Sequence, residues 1–499
     1  MNTPLRRVGL AMLAMMALLL ANATYIQVVD ADDYRDDPRN QRVLLEEYSR
    51  ERGQIISQDG KILAHSKKTG GRYEFQRRYP NGEMYAPVTG YYSLRYGSGG
   101  LEHAENEVLA GNDPRLLVRR LSDMFTGRDP RGGHVRLTID PKVQEAAYEA
   151  MKERGHRGAV VALRPDTGEI LAMVSLPSYD PNQLASHDGR KQERAWFRWN
   201  CDPDGDKGCK EHNNPMRNRA IQEFYPPGST FKLVTTAAAL ENGATKDTRV
   251  ESAASVILPG TRTPLANFGG APCPGSTLQD ALAHSCNTAF AKLAGQLGAD
   301  KLRETAKNFG IGMDDLEIPM SVTPSGLGEL GSEAELYQAG IGQRDVRLTP
   351  LQDAMLSATI ANHGMAMRPH LVKELLAPAL SVLEPVEPEE LTGEPALSRH
   401  NAEVLRDMMI KSEQNTLGAG PYSHLKIASK TGTAEHGANP KQTPPHAWYT
   451  AFAPYDDPKV AVAVIVESGG KHGDLAATGG ALASEIGRLT MKAALEEGQ

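Results

Sequence analysis

Between Arg7 and Asp30 the chain carries no charged residue. The run Val8 to Val29 is almost wholly apolar from Gly9 to Ala21. Coiled as a helix it spans about 33 Å, enough for a ~30 Å hydrocarbon core. Arg6 and Arg7 precede it; Asp30, Asp32 and Asp33 follow. Positive residues on the near side keep the N-terminus in the cytoplasm and place the rest outside. Ala21-Asn22-Ala23 also has the small-x-small form of a signal-peptide cleavage site, but the uncharged run is long for a cleaved leader. The expectation is an uncleaved single-pass anchor in the cell membrane: residues 1–7 cytoplasmic, 8–29 spanning, the bulk extracytoplasmic.

Export governs how the four cysteines read. Outside the cytoplasm thiols tend to pair, and four allow three pairings. Cys201 with Cys209, and Cys273 with Cys286, close the shortest loops and are the expected pairs; the alternative is a reduced, packed thiol. A net charge of −7 lacks the basic balance of a nucleic-acid binder. The 499 residues suggest roughly three domain-sized units.

After the anchor come short β-like runs. Arg52-Gly53-Gln54-Ile55-Ile56 leads to an Asp59-Gly60 turn. Gly90 to Gly97 is glycine-punctuated. His134 to Ile139 alternates like a strand, and a helix is expected from Pro141 through Ala150. A second unit opens near Arg157. Gly158 to Leu163 is a continuous apolar strand, turned at Asp166-Thr167-Gly168 and returned by Glu169 to Ser175. Near the other end, Lys426–Thr431, Ala447–Ala453 and Lys459–Ser468 read as strands, and 481–495 as a closing helix. Glu384 to Pro395 reads as an exposed loop. Strands at both ends with helices between predict an α+β core whose sheet both termini complete. The expected division is 30–156 as a non-catalytic N-terminal domain and 157–499 as the catalytic one.

Three short motifs carry the chemistry. In Tyr225-Pro226-Pro227-Gly228-Ser229-Thr230-Phe231-Lys232, prolines and glycine block a helix upstream, and the pattern becomes helical from Thr230 to Glu241. Ser229 thus opens a helix, with Lys232 on the same face. A serine hydroxyl needs a base to become a nucleophile, and a lysine made neutral by burial or a second cation can serve. Alone, Ser229 reads equally well as an N-cap. Ser285-Cys286-Asn287 offers a hydroxyl and an amide that converge if they sit on a loop; alone it reads as a capping turn. Ser429-Lys430-Thr431-Gly432-Thr433 ends a β-run. Lys430 offers a fixed positive charge, Thr431 and Thr433 offer hydroxyls for a carboxylate, and Gly432 lets a ligand approach the backbone.

Together, S-x-x-K, S-x-N and K-T-G occur in order, each in the expected local context. This is the signature set of serine acyl-transferases of the β-lactamase and penicillin-binding group. The chain resembles a class B penicillin-binding protein over nearly all its length. Supporting runs are Arg52-Gly53-Gln54-Ile55, Gly158 to Leu163, Asp166-Thr167-Gly168, Gly340-Ile341-Gly342-Gln343 with Leu348-Thr349-Pro350, and His446 to Pro454. Asp37 to Arg42, Tyr85 to Gly90 and Lys430 to Gly437 resemble the short actinobacterial members in particular. The segment Cys201 to Asn214 departs from the pattern.

The resemblance implies a penicillin-binding/serine β-lactamase-like transpeptidase domain, with an antiparallel sheet and helices, behind a smaller mixed pedestal or dimerisation-type domain. It implies a D,D-transpeptidase that needs no cofactor or metal. Its donor would be a peptidoglycan stem peptide ending in D-Ala-D-Ala, and its acceptor an amine of a neighbouring stem. By the same resemblance Ser229 attacks, Lys232 is the base, and Ser285 with Lys430 passes the proton to the leaving D-Ala. The backbone N–H groups of Ser229 and Thr433 form the oxyanion hole. Asn287 holds the peptide amide, and Thr431 and Thr433 hold the carboxylate. β-Lactams would acylate Ser229. A SEDS-type glycan polymerase, divisome proteins and a role in septal wall synthesis are further family expectations.

Weaker signals compete with these. Asp202, Asp204 and Asp206 have calcium-loop spacing, but Lys207 and Asn213 stand where that loop needs Gly and Glu; an acidic surface loop is the reading. His436 and His446 lack a third zinc ligand. Trp448 reads as strand packing. Among other functions, a class A β-lactamase needs a deacylating Glu, and no E-x-x-L-N segment follows Ser285. A β-lactam sensor needs an output portion inside the cell, where only Met1 to Arg7 are expected. A D,D-carboxypeptidase, using water as acceptor, shares every motif.

Overall fold

The computed structural model describes residues 2–29, 48–116, 131–200 and 214–496. The N-terminal apolar run forms the helix Asn2–Thr24, which widens into a π-turn at Tyr25–Val29. It is the one helix among the described residues long and apolar enough to cross a membrane.

A five-stranded antiparallel sheet forms the larger body, in the order Ala428–Ala434, His446–Ala453, Val460–Val466, Gly158–Leu163, Ile170–Leu176. Both ends of the sequence meet in it, as the strand pattern predicts. The central strands are apolar without interruption because helices cover both faces. Alternate residues therefore enter two cores. Val160, Ala162, Val462 and Val464 pack with Val143, Ala147, Met151, Ile486 and Met491. Ala159, Val161, Ala463 and Ile465 pack with Leu351, Ala354, Met355 and Phe231 on the other side.

The Pro141–Glu153 helix belongs to this body by its packing, although it lies before residue 157. Asp140 caps it, accepting from the Lys142 and Val143 N–H groups at 2.8 and 3.3 Å. Its apolar stripe lies against the Ser484–Leu495 helix and the sheet. The expected closing helix is broken: Gly479–Leu482 and Ser484–Leu495 are separate. A Cβ at Gly479 would come 1.9 Å from the Trp448 carbonyl, so the short turn fits only because that residue has no side chain.

The second sheet crosses the two regions of sequence. Its order is Val382–Pro385, Val372–Leu376, His134–Leu137, Ile55–Ile56, Ile62–Lys68, Phe75–Arg78. The hairpin Val372 to Pro385 comes from late in the chain yet extends the N-terminal sheet. Glu384 and Pro385 thus end a strand rather than open a loop; the residues after them, through Pro395, are exposed apart from Leu391. Beneath the sheet, Glu102 is fully buried between Arg52 and Arg77, at 2.7 and 2.6 Å. Tyr79 donates to the same carboxylate at 3.0 Å.

Candidate active site

Ser229 is not an N-cap. It lies inside the 3-10 turn Gly228–Phe231, which runs directly into the Lys232–Glu241 helix. In a 3-10 turn side chains three apart eclipse, which stacks Lys232 under Ser229. Two close approaches fix the turn. Gly228 has φ 55° and donates its N–H to the Gly342 carbonyl at 2.8 Å. A Cβ on Gly228 would stand 2.5 Å from the Thr433 carbonyl oxygen.

Gly432 has a different use from the expected one. What comes close to it is not an open ligand space but the chain itself: a Cβ there would meet the Pro227 carbonyl at 2.8 Å and the Thr230 methyl at 3.1 Å. This glycine lets the edge strand dock on the nucleophile turn. Trp448 is fully buried in the next strand and donates its indole N–H to the Pro226 carbonyl at 3.0 Å, holding the same turn from the sheet.

Ser285 stands between the Leu278–Ala283 and Asn287–Leu297 helices with φ 58°. A left-handed conformation is uncommon for a non-glycine residue and concentrates at functional sites. It turns both the carbonyl and the hydroxyl of Ser285 toward Lys232. Lys232 Nζ donates to the Ser285 carbonyl at 2.8 Å and to Asn287 Oδ1 at 2.8 Å, and lies 3.3 Å from Ser285 Oγ. From the other side Lys430 Nζ donates to Ser285 Oγ at 2.9 Å. The middle residue of this motif is pinned by a disulfide between Cys273 and Cys286, with the Cα atoms 5.7 Å apart. Cys201, Cys209 and the acidic 202–208 segment lie outside the described residues.

Burial sets the proton chemistry. Both lysines are almost fully enclosed. Desolvation first, and the Lys430 charge second, hold the Lys232 ammonium well below its ordinary pKa. Burial brings Lys430 itself down to about 7. Lys430 is therefore not the fixed charge its sequence context suggests; it titrates near neutrality. A neutral Lys232 has two N–H donors and one lone pair. The Ser285 carbonyl and Asn287 Oδ1 take the donors, which leaves the lone pair to receive a proton.

These groups open on a cleft of about 1060 Å³ lined by Ser229, Ser285, Asn287, Thr431 and Thr433. Asn287 is already engaged at both ends of its amide, since Nδ2 donates to the Ala266 carbonyl at 3.0 Å. Its second N–H is what remains for a ligand. Phe268, Leu417 and Leu475 form an exposed apolar rim. None of the three lies near a motif, so local pattern gave no signal for them. Behind the edge strand, buried Glu413 accepts from Ser429 Oγ, from Tyr449 at 3.0 Å and from Arg488 at 2.8 Å. Arg488 also holds the Leu417 carbonyl at 2.8 Å. The His436 and His446 rings stack at 3.7 Å, and no group of three or more metal-ligating side chains occurs among the described residues.

Comparison with known proteins identifies the family. Residues 158–492 match the penicillin-binding protein transpeptidase domain, and residues 52–135 match the penicillin-binding protein A dimerisation domain. The chain belongs to the penicillin-binding protein transpeptidase family, and it is a serine-type transpeptidase. It is 55% identical to the peptidoglycan D,D-transpeptidase PbpA of Mycolicibacterium smegmatis, over 100% of both chains. The PbpA of Mycobacterium tuberculosis is 51% identical over 99% of both. The structure of penicillin-binding protein A from M. tuberculosis as a ceftriaxone acyl-enzyme superposes with a TM-score of 0.86, at 50% identity, covering 90% of this chain and 100% of that one.

Proposed function

We propose that the chain is a monofunctional peptidoglycan D,D-transpeptidase that works through an acyl-enzyme on Ser229. The observation that carries this is Ser285 Oγ held between two buried amines, Lys232 at 3.3 Å and Lys430 at 2.9 Å. Such a row can move one proton in either direction without a charge leaving the site.

In the first half-reaction neutral Lys232 takes the Ser229 proton as Oγ attacks the carbonyl between the two terminal D-alanines. The N–H groups of Ser229 and Thr433 receive the oxyanion; one such donor contributes about 2.7–4 kcal/mol. The C–N bond then breaks. The proton passes from Lys232 through Ser285, with Lys430 beside it, to the departing D-Ala, whose carboxylate rests on Thr431 and Thr433. Asn287 holds the donor's peptide amide. In the second half-reaction an amine of a neighbouring stem attacks the ester. A new amide forms and Ser229 regains its proton. A β-lactam enters as the donor does, but its amine stays tethered after the ring opens.

The N-terminal helix is the membrane anchor in this reading, with the body on the extracytoplasmic side. The site serves septal wall synthesis beside a SEDS-type polymerase and divisome proteins; a fluorescent fusion in growing cells tests that part. The chemistry is tested by mass spectrometry of the purified protein after labelled penicillin. One adduct on the Ser229 peptide is expected. No adduct, or one that persists in Ser229→Ala, overturns the reading.

A further inference from the structure

Glu413 lies in the last turn of the Arg399–Gln414 helix and is buried behind the strand that carries Lys430, Thr431 and Thr433. Ser429 Oγ and Tyr449 Oη both donate to its Oε2, the latter at 3.0 Å. Its other oxygen accepts from Arg488 Nε at 2.8 Å, out of the Ser484–Leu495 helix. Arg488 is fully enclosed, and its Nη1 donates to the Leu417 carbonyl at 2.8 Å and to Ser484 Oγ at 3.3 Å. A buried ion pair is weak evidence of stabilisation, since packed apolar side chains of the same volume often serve as well or better. The hydrogen bonds of this pair point to another use, because they end on the strand and the rim that line the cleft.

Ser429, Thr431 and Thr433 alternate along their strand and so share one face. Tyr449 is the cross-strand partner of Thr431, which places its side chain on that face too. The Glu413 carboxylate therefore grips the hydroxyls beside Thr431, one on the same strand and one on the next. Ser429 and Tyr449 are fully buried, whereas Thr431 and Thr433 are half-buried and open on the cleft. The strand stands at the edge of its sheet, with His446–Ala453 as its one neighbour. An edge strand is held by a hydrogen-bond ladder on one side only, so side-chain anchors such as these decide where its outward groups sit.

We propose that Glu413 is a positioning residue for recognition of the substrate's terminal carboxylate: held by Arg488, it ties down Ser429 and Tyr449 and so fixes Thr431 and Thr433 at the spacing that a carboxylate needs. Glu413 itself never touches substrate. The inference rests on the assignment of Thr431 and Thr433 to the carboxylate in the proposed function.

The test uses the full chain with Ser429→Ala, with Tyr449→Phe and with both changes. These cut Glu413 from the two strands but leave its pairing with Arg488, so the buried charge keeps its partner. Each protein is treated with benzylpenicillin and with benzylpenicillin methyl ester, which has no free carboxylate. Adducts on Ser229 are followed by mass spectrometry; they are covalent, so a slow ester is counted over hours. Each single change should lower the preference for free acid over ester about threefold, and both together about tenfold, the worth of one to two hydrogen bonds. The ester rate should stay within about twofold of the parent, because no hydrogen bond to a carboxylate is lost there. An unchanged preference in the double variant overturns the proposal. So does an equal loss with acid and ester, which is what a general loosening of the site would give. Should the double variant not fold, the single changes decide by the same ratio. A parent that reacts equally with acid and ester would instead defeat the assignment of Thr431 and Thr433, and a parent without an adduct on Ser229 the nucleophile assignment.

Discussion

Lys232 Nζ donates to Asn287 Oδ1 at 2.8 Å. The amide of the second motif thus spends its oxygen on the amine of the first, before any substrate arrives. Replacing Asn287 with Ala removes one of the two acceptors that orient a neutral Lys232. Acylation by penicillin should fall about a hundredfold, the low end of what a positioned base supplies, with little change in melting temperature. Asn287→Asp makes a sharper case. A carboxylate against Lys232 favours the ammonium and raises its pKa. The acylation rate of that variant should be poor at neutral pH and recover as pH rises, read from a rate–pH profile.

The second prediction concerns stability. Burial brings Lys430 down to about 7 in the folded chain, against about 10.5 for an ordinary lysine. Between those values the unfolded chain binds more protons, so the Lys430 contribution to stability rises with pH across that window. Replacing Lys430 with Met removes the penalty. At pH 7 the variant should be more stable than the parent by a few kcal/mol, on the order of the linkage term. The gap should narrow toward pH 10, as urea unfolding at several pH values would record. Acylation should be largely lost at every pH.

The Cys273–Cys286 disulfide closes a loop with a sequence separation of 13. Removing a bridge over a loop of this size costs about 3 kcal/mol. Because Cys286 sits between Ser285 and Asn287, the loss should reach the chemistry as well. Cys286→Ser should lower the melting temperature and slow acylation together. A purely structural bridge would lower only the first.

Glu102 pairs with two buried arginines far along the sequence from the cleft. Glu102→Ala leaves Arg52 and Arg77 buried without their carboxylate, a change that costs about 3–5 kcal/mol. Urea unfolding should show the N-terminal unit melting early. Penicillin acylation of Ser229, measured below that transition, should stay close to the parent rate.

Local sequence was enough for much of this protein. The uncharged run Val8–Val29 is apolar enough to make a long exposed helix, and Gly158–Leu163 with Val460–Val466 are apolar enough to be central strands. The order of S-x-x-K, S-x-N and K-T-G named the chemistry, since few other reactions need that set. Some readings failed because they depended on partners distant in sequence. Gly432 looked like room for a ligand and is room for Pro227. Glu384 and Pro385 looked like loop and finish a strand of the N-terminal sheet.

The sequence by itself determined which residues can react and which segments coil, because hydroxyl, amine and hydrophobic period are local properties. The tertiary structure alone decided the protonation of the two lysines. Lys232 and Lys430 are far apart in the chain, and each has an ordinary pKa in water. Only folding encloses them on either side of Ser285. The resulting loss of solvation, reinforced at Lys232 by the neighbouring charge, turns an ammonium into a base.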